Sequence, residues 1–220
     1  MTANFNNVYE HLKSSVVRTH GNWKLLVLLF GEQNSLDLFN DTDPVAATSI
    51  HNALVEKAVL DIAKLRDPAT SGSYENLSLR NLISKLKAER TELDFTTVDC
   101  EIDTFLTATE PFVTLRNKTI AHSDSVTLLS PTSTIAGISR SDIDSVMSQT
   151  ESIMNNVEQL TGRAKVHYSD TIMSGGGSSL VASLQHAKLF LDINDLAVME
   201  RPDVGKIVEL AKNEPPAGNK

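Results

Sequence analysis

Apolar residues recur every three to four positions along most of this chain, the period of a helix with one buried face. Phe5, Val8, Tyr9, Leu12 and Val16 trace such a face, and Trp23, Leu26, Val27 and Phe30 repeat it after Gly21-Asn22. That Gly-Asn pair is expected to break or cap the first helix. Asp43-Pro44 reads as an N-cap followed by the first helical residue. The helix it opens should run through Ile50, Leu54, Ala58 and Ile62 to about Leu65. Asp67-Pro68 ends it, because proline cannot continue a helix and restricts the residue before it.

Residues 67–77 read as a loop, and Ser78 as the cap of a helix with Leu79, Leu82, Ile83 and Leu86 on its apolar face. A further helical pattern runs from about Val98 to Ala121, with a kink or restart expected at Pro111. Residues 127–139 form a second, Ser/Thr-rich loop. Ser141-Asp-Ile-Asp144 resembles a capping box and opens a regular helix through Ile143, Met147, Ile153 and Met154 to Ala164. Gly175-Gly-Gly177 is a third loop, followed by a helix from about Ser178 to Leu191. No alternation is long enough to require a sheet. The expected fold is an all-α bundle of six to eight helices. It should form one domain over residues 1–200, with residues 201–220 as a C-terminal helix and partly disordered tail.

Composition narrows the function classes. Twenty Lys+Arg against 28 Asp+Glu give a net charge of −8, which excludes a uniformly basic nucleic-acid-coating protein but not a local basic site. A single cysteine, Cys100, excludes an internal disulfide and any CxxC motif. It is read on an apolar helix face, as a small core residue. The longest apolar run, Leu25 to Phe30, is far short of the roughly twenty residues of a membrane span. Met1-Thr2-Ala3-Asn4 lacks the basic-then-apolar order of a signal peptide, so a cytoplasmic location without membrane attachment is expected. His11, His20, His51, His167 and His186 are scattered without ligand spacing, so neither metal nor cofactor is expected.

Chemistry is densest in Leu115-Arg116-Asn117-Lys118-Thr119-Ile120-Ala121-His122-Ser123-Asp124. An arginine fork binds phosphate through two parallel hydrogen bonds. A histidine titrating near neutrality moves a proton to or from a ribose hydroxyl. Together they suffice for metal-independent RNA cleavage, with Arg stabilising the charge that develops on phosphate oxygens. The competing reading is a structural helix end, where basic side chains meet the macrodipole and the free carbonyls. Lys64 and Arg66 could extend a phosphate-binding surface, as could Arg80, Lys85, Lys87 and Arg90 on the most basic helix, though a solvated face explains both. Trp23 reads as a packing anchor.

Arg116-Asn117, four further residues and His122 resemble the Arg-polar-spacer-His signature of the HEPN superfamily (higher eukaryotes and prokaryotes nucleotide-binding domains). The wider string looks like the version in its AbiU-like branch, named after an abortive-infection protein. Leu60-Asp-Ile-Ala-Lys-Leu-Arg-Asp-Pro68 followed by Tyr74-Glu-Asn-Leu-Ser-Leu79 resembles a helix–Asp-Pro–loop–helix passage of that branch, and the triple glycine before a last helix also fits. The resemblance spans about residues 20–195.

It implies a helical bundle that dimerises with two Arg/His motifs lining one cleft. It also implies a metal-independent endoribonuclease of the toxin or abortive-infection type acting on RNA, with an antitoxin protein as a further partner. Arg116 and His122 would then be the catalytic pair, Asn117 the residue that orients Arg116 or the substrate, and Lys118 and Asp124 substrate-binding. Other members of the superfamily bind RNA, nucleotides or proteins without cutting. On an ideal helix, six residues at about 100° each leave Arg116 and His122 about 120° apart. A bifunctional site therefore requires the helix to end or bulge before His122, or a cleft shared between two chains. Lys118 and His122, at i and i+4, face the same way.

Overall fold

The computed structural model describes residues 4–120, 137–170 and 177–198, and among these it has eight α-helices and one minimal hairpin. Helix α1 spans Phe5–Phe30, α2 Gln33–Thr42 and α3 Pro44–Arg66; strands β1, Thr70–Ser71, and β2, Tyr74–Glu75, follow. Then come α4, Leu79–Glu89, α5, Thr96–Ala108, α6, Glu110–Leu115, and a π-helical turn over Arg116–Ile120. Helix α7 covers Arg140–Leu160, a 3₁₀ turn Tyr168–Asp170, and α8 Gly177–Val198. The all-α reading is correct.

The helix boundaries follow local chemistry. Asp43 caps α3 by accepting hydrogen bonds at Oδ1 from Val45 N (3.1 Å) and Ala46 N (3.0 Å), with Pro44 as the first helical residue. Ser78 caps α4 by accepting from Asn81 N at 3.2 Å, and the expected face of Leu79, Leu82, Ile83 and Leu86 is buried. Pro111 does produce a restart: α5 stops at Ala108, Thr109 interrupts, and α6 begins with the proline in its first turn.

Four expectations are corrected, and one helix was not foreseen. Gly21-Asn22 does not interrupt α1, because the buried face continues through Thr19, His20 and Trp23, and that packing outweighs a glycine cost of about 1 kcal/mol. Helix α2 went unpredicted, since its N-cap Glu32 makes no side-chain capping bond. The cap of α7 is Ser139, two residues earlier than read. It accepts from Asp142 N at 3.2 Å while its own N–H donates to Asp142 Oδ2 at 2.8 Å. The same helix ends at Leu160 rather than Ala164, released by Gly162 at φ 68°, a left-handed conformation that glycine adopts freely. Residues 67–77 are not all loop: β1 and β2 pair with Ser71 opposite Tyr74, closed by Gly72 at φ 59°. The expected loop over 127–139 falls mostly outside the described residues, as does the expected tail.

Two compact units emerge, one of residues 1–24 and 50–173 and one of residues 25–49 and 174–220. In the first, Tyr9, Leu12, Ile62, Leu82, Phe105, Phe112, Ile153 and Met154 are fully buried. Helix α5 packs along α7, where Glu101 accepts from Ser152 Oγ (2.6 Å) and Asn156 Nδ2 (2.7 Å). Trp23 is the anchor expected, buried and donating from Nε1 to Asp144 Oδ1 at 2.6 Å. In the second unit α2 packs against α8, Phe30 and Phe39 rings lie 5.1 Å apart, and Lys188 pairs with Asp41.

Candidate active site

The first residue of the motif is where the helix changes its hydrogen-bonding period. Helix α6 closes at Leu115, Arg116 N donates to Phe112 O and Val113 O, and Arg116–Ile120 then form a π turn. Turns of this kind widen the helix locally and recur at functional sites. Of the two conditions for a bifunctional site, a departure from α-helical geometry before His122 is present at Arg116–Ile120.

Arg116 is half-buried, its side chain 23% exposed. Its Nη1 donates to Asp67 Oδ1 at 3.0 Å and its Nε to Asn117 Oδ1 at 3.0 Å. A guanidinium has five N–H donors, so these two contacts fix the fork while donors remain for a phosphate. Asp67 closes the helix α3 passage, just after Arg66. Arg66 is also tied to this region: its Nε donates to Leu106 O at 3.2 Å and its guanidinium pairs with Glu110. The structure thus joins the Asp-Pro passage and the Arg motif, which the sequence keeps apart.

Of the five predicted site residues, Arg116 and Asn117 are brought together. Lys118 is exposed with no partner among the described residues. His122 and Asp124 lie outside the described residues. Asp67 was missed as a site residue. Its only sequence signal was the Asp-Pro dipeptide, which reads as helix punctuation.

The hairpin after Asp67 is firmly pinned. Asn76 Nδ2 donates to Pro68 O and Ser71 Oγ, both at 2.8 Å, and Asn81 Nδ2 donates to Asn76 O at 2.7 Å. The basic helix α4 is largely neutralised: Lys85 pairs with Glu75, Lys87 with Asp99 and Arg90 with Glu92. Lys64 extends into solvent beside Asp61. Both observations favour the solvated-face reading of those cations over a nucleic-acid track. Cys100 is exposed rather than a core residue, because the buried face of α5 is Val98, Ile102 and Phe105, and two residues from Val98 the helix has turned about 200°. Among the described residues no cluster of three or more His, Cys, Asp or Glu could hold a metal ion, and no helix is long and apolar enough to cross a membrane.

The family model for AbiU2, of the HEPN group, matches residues 2–176. The match starts earlier than the span expected from the motifs, taking in all of α1, and stops before α8. No curated protein and no solved structure matches the chain. With the Arg116 motif and the Asp-Pro passage in contact on an all-helical scaffold, and a family match over most of its length, the chain belongs to the AbiU2 family of HEPN proteins.

Proposed function

We propose that this protein is a metal-independent endoribonuclease of the abortive-infection type. The observation that carries the proposal is Arg116 at the opening of a π turn, braced by Asp67 and Asn117 with donors to spare. In the proposed reaction a ribose 2′-hydroxyl gives up its proton to His122 and attacks the adjacent phosphorus. The phosphorus–O5′ bond breaks, the 5′-oxygen takes a proton, and a 2′,3′-cyclic phosphate remains. Arg116 stabilises the charge on the non-bridging oxygens. Asp67 and Asn117 act as positioning residues, holding the guanidinium plane so that little order is lost when phosphate arrives.

Each chain supplies only two strong catalytic groups, Arg116 and His122. A two-fold homodimer with both motifs in one cleft completes the site in this reading. Sedimentation at tens of micromolar should give a dimer; a strict monomer counts against the shared cleft. The reaction is tested by incubating purified protein with single-stranded RNA in EDTA and analysing the new ends. Cleavage that persists and leaves 2′,3′-cyclic phosphate supports the proposal. Cleavage that stops on chelation and returns with magnesium or manganese overturns it.

One observation favours a second reading, a module that binds RNA without cutting it: the Arg116 guanidinium already holds a carboxylate partner. In that case Arg116 governs binding and His122 has no effect on the fate of the RNA.

A further inference from the structure

Far from the motif in sequence, residues 163–168 read Arg-Ala-Lys-Val-His-Tyr, with basic and apolar side chains alternating. From Lys165 onward the structure sorts them by that alternation, whereas Ala164 is exposed. Arg163, Lys165 and His167 line a cleft of about 660 Å³ against α7, while Val166 is half-buried and Tyr168 wholly buried on the other side. This is the period-two arrangement of an extended segment.

The segment is held at Val166, Tyr168 and Ser169. Val166 N–H lies 3.0 Å from both Asn155 Oδ1 and Glu158 Oε2. Tyr168 Oη donates to Glu158 Oε1 at 2.7 Å, and Ser169 N to Glu151 Oε2 at 3.1 Å. Arg163 is fixed over the Tyr9 ring at 4.2 Å, donates to Asn6 Oδ1 at 2.7 Å and pairs through Nη1 with Glu10 Oε1 at 3.4 Å. Lys165 and His167, by contrast, are exposed, and their side chains have no partner among the described residues. A held backbone therefore presents two basic side chains without partners among the described residues, beside a guanidinium that Glu10 and Asn6 hold in place. That is a pre-organised receptor for a compact anion.

The opposite wall sets the rest of the ligand. Glu151, Asn155 and Asn156 line the same cleft. Carboxylates and amides there accept hydrogen bonds from hydroxyl groups, and Glu151 repels a second anionic group. A polyanionic strand is disfavoured, whereas a single phosphate on a neutral hydroxylated body fits both walls. The volume lies in the range of small-molecule sites. We infer that this cleft binds a small phosphomonoester with a hydroxylated body, its phosphate on Arg163, Lys165 and His167 and its hydroxyls toward Glu151 and Asn155. The site shares no residue with the Arg116 motif and does not depend on the ribonuclease reading.

Calorimetric titration of the full chain with ribose 5-phosphate, inorganic phosphate and ribose tests this. Ribose 5-phosphate should bind more tightly than phosphate, and ribose alone should give no heat. Lys165→Ala and His167→Ala should each weaken ribose 5-phosphate by roughly tenfold or more without changing thermal stability, since both side chains are exposed. Neither should alter affinity for single-stranded RNA. Glu151→Gln should narrow the gap between ribose 5-phosphate and phosphate, and ligand should shift the side-chain amide resonances of Asn155 and Asn156. Absence of ribose 5-phosphate binding at millimolar concentration overturns the inference. So do alanine variants that bind it as the wild type does, and an equal loss of RNA affinity, which makes the strip a strand-binding surface instead.

Discussion

Arg116 and Asp67, 49 residues apart in the chain, meet through a 3.0 Å hydrogen bond from guanidinium Nη1 to carboxylate Oδ1. Both side chains are partly exposed, 23% and 29%, and a pair of that exposure contributes about 1 kcal/mol or less to stability. Its importance lies in geometry. A guanidinium held in one plane meets a phosphate with both prongs, whereas a free one samples many rotamers.

Asp67→Ala should therefore lower RNA affinity and cleavage while the melting temperature stays within a few degrees of wild type. Asp67→Asn keeps an acceptor oxygen and should retain part of the activity. Steady-state cleavage kinetics beside thermal unfolding check this. A large loss of stability with unchanged RNA handling instead makes the pair a structural staple.

Glu158 should be the reverse case. It is 0% exposed and accepts from Tyr9 Oη (2.9 Å), Tyr168 Oη (2.7 Å) and Val166 N (3.0 Å). Burial, followed by the hydrogen bond to Glu158, pushes the phenol of Tyr9 and that of Tyr168 well above the ordinary tyrosine value. Glu158→Ala removes the carboxylate that two buried phenol hydroxyls share, while Val166 N keeps Asn155 Oδ1, a loss of about 3–5 kcal/mol. For a chain of this length that corresponds to a fall of roughly 10 °C in Tm. Glu158→Gln retains an acceptor oxygen and should cost less. A shift of only a degree or two in Glu158→Ala contradicts the network as drawn.

Acid should loosen the fold through His20. It is buried beside the Tyr168 ring, with centroids 6.1 Å apart, and its Nε2 has no hydrogen-bond partner among the described residues. Burial holds its pKa below the ordinary value of 6.5, with Glu151 opposing. The folded chain thus binds fewer protons than the unfolded chain below that value. The stability contributed by neutral His20 is fully present above pH 6.5 and declines as pH falls through it toward the lowered folded value. Urea unfolding between about pH 5 and pH 8 should show a steeper acid loss for wild type than for His20→Gln. Identical slopes exclude His20 as the source.

Caps and faces were legible where one residue carries the signal. Asp43-Pro44, Ser78 and Pro111 act locally, so reading them in order placed α3, α4 and the α5–α6 restart. The α7 cap was misread because Ser139 and Ser141 are both serines near an aspartate, and only the backbone shows which one meets Asp142 N. Ser139→Ala should cost about 1 kcal/mol by chemical denaturation, and Ser141→Ala much less. Arg116 and Asn117 were legible as a motif, whereas Asp67 was not, because the contact depends on how α3 and α6 pack. The Arg163–Lys165–His167 strip was also missed. Its alternation is short, pairs with no strand, and gains meaning only once Val166 and Tyr168 are seen to face inward.

The most direct test of the account separates proton transfer from phosphate binding at the motif. RNA affinity and single-turnover cleavage are measured for wild type, His122→Ala, Arg116→Ala and Arg116→Lys. His122→Ala should slow cleavage by roughly 10²–10⁴ with little change in affinity. Arg116→Ala should weaken both together, with Arg116→Lys recovering only part, since an ammonium cannot form the two-pronged contact. Variants that lose stability while RNA binding and cleavage stay as in wild type would make the motif a structural helix end and contradict the ribonuclease account.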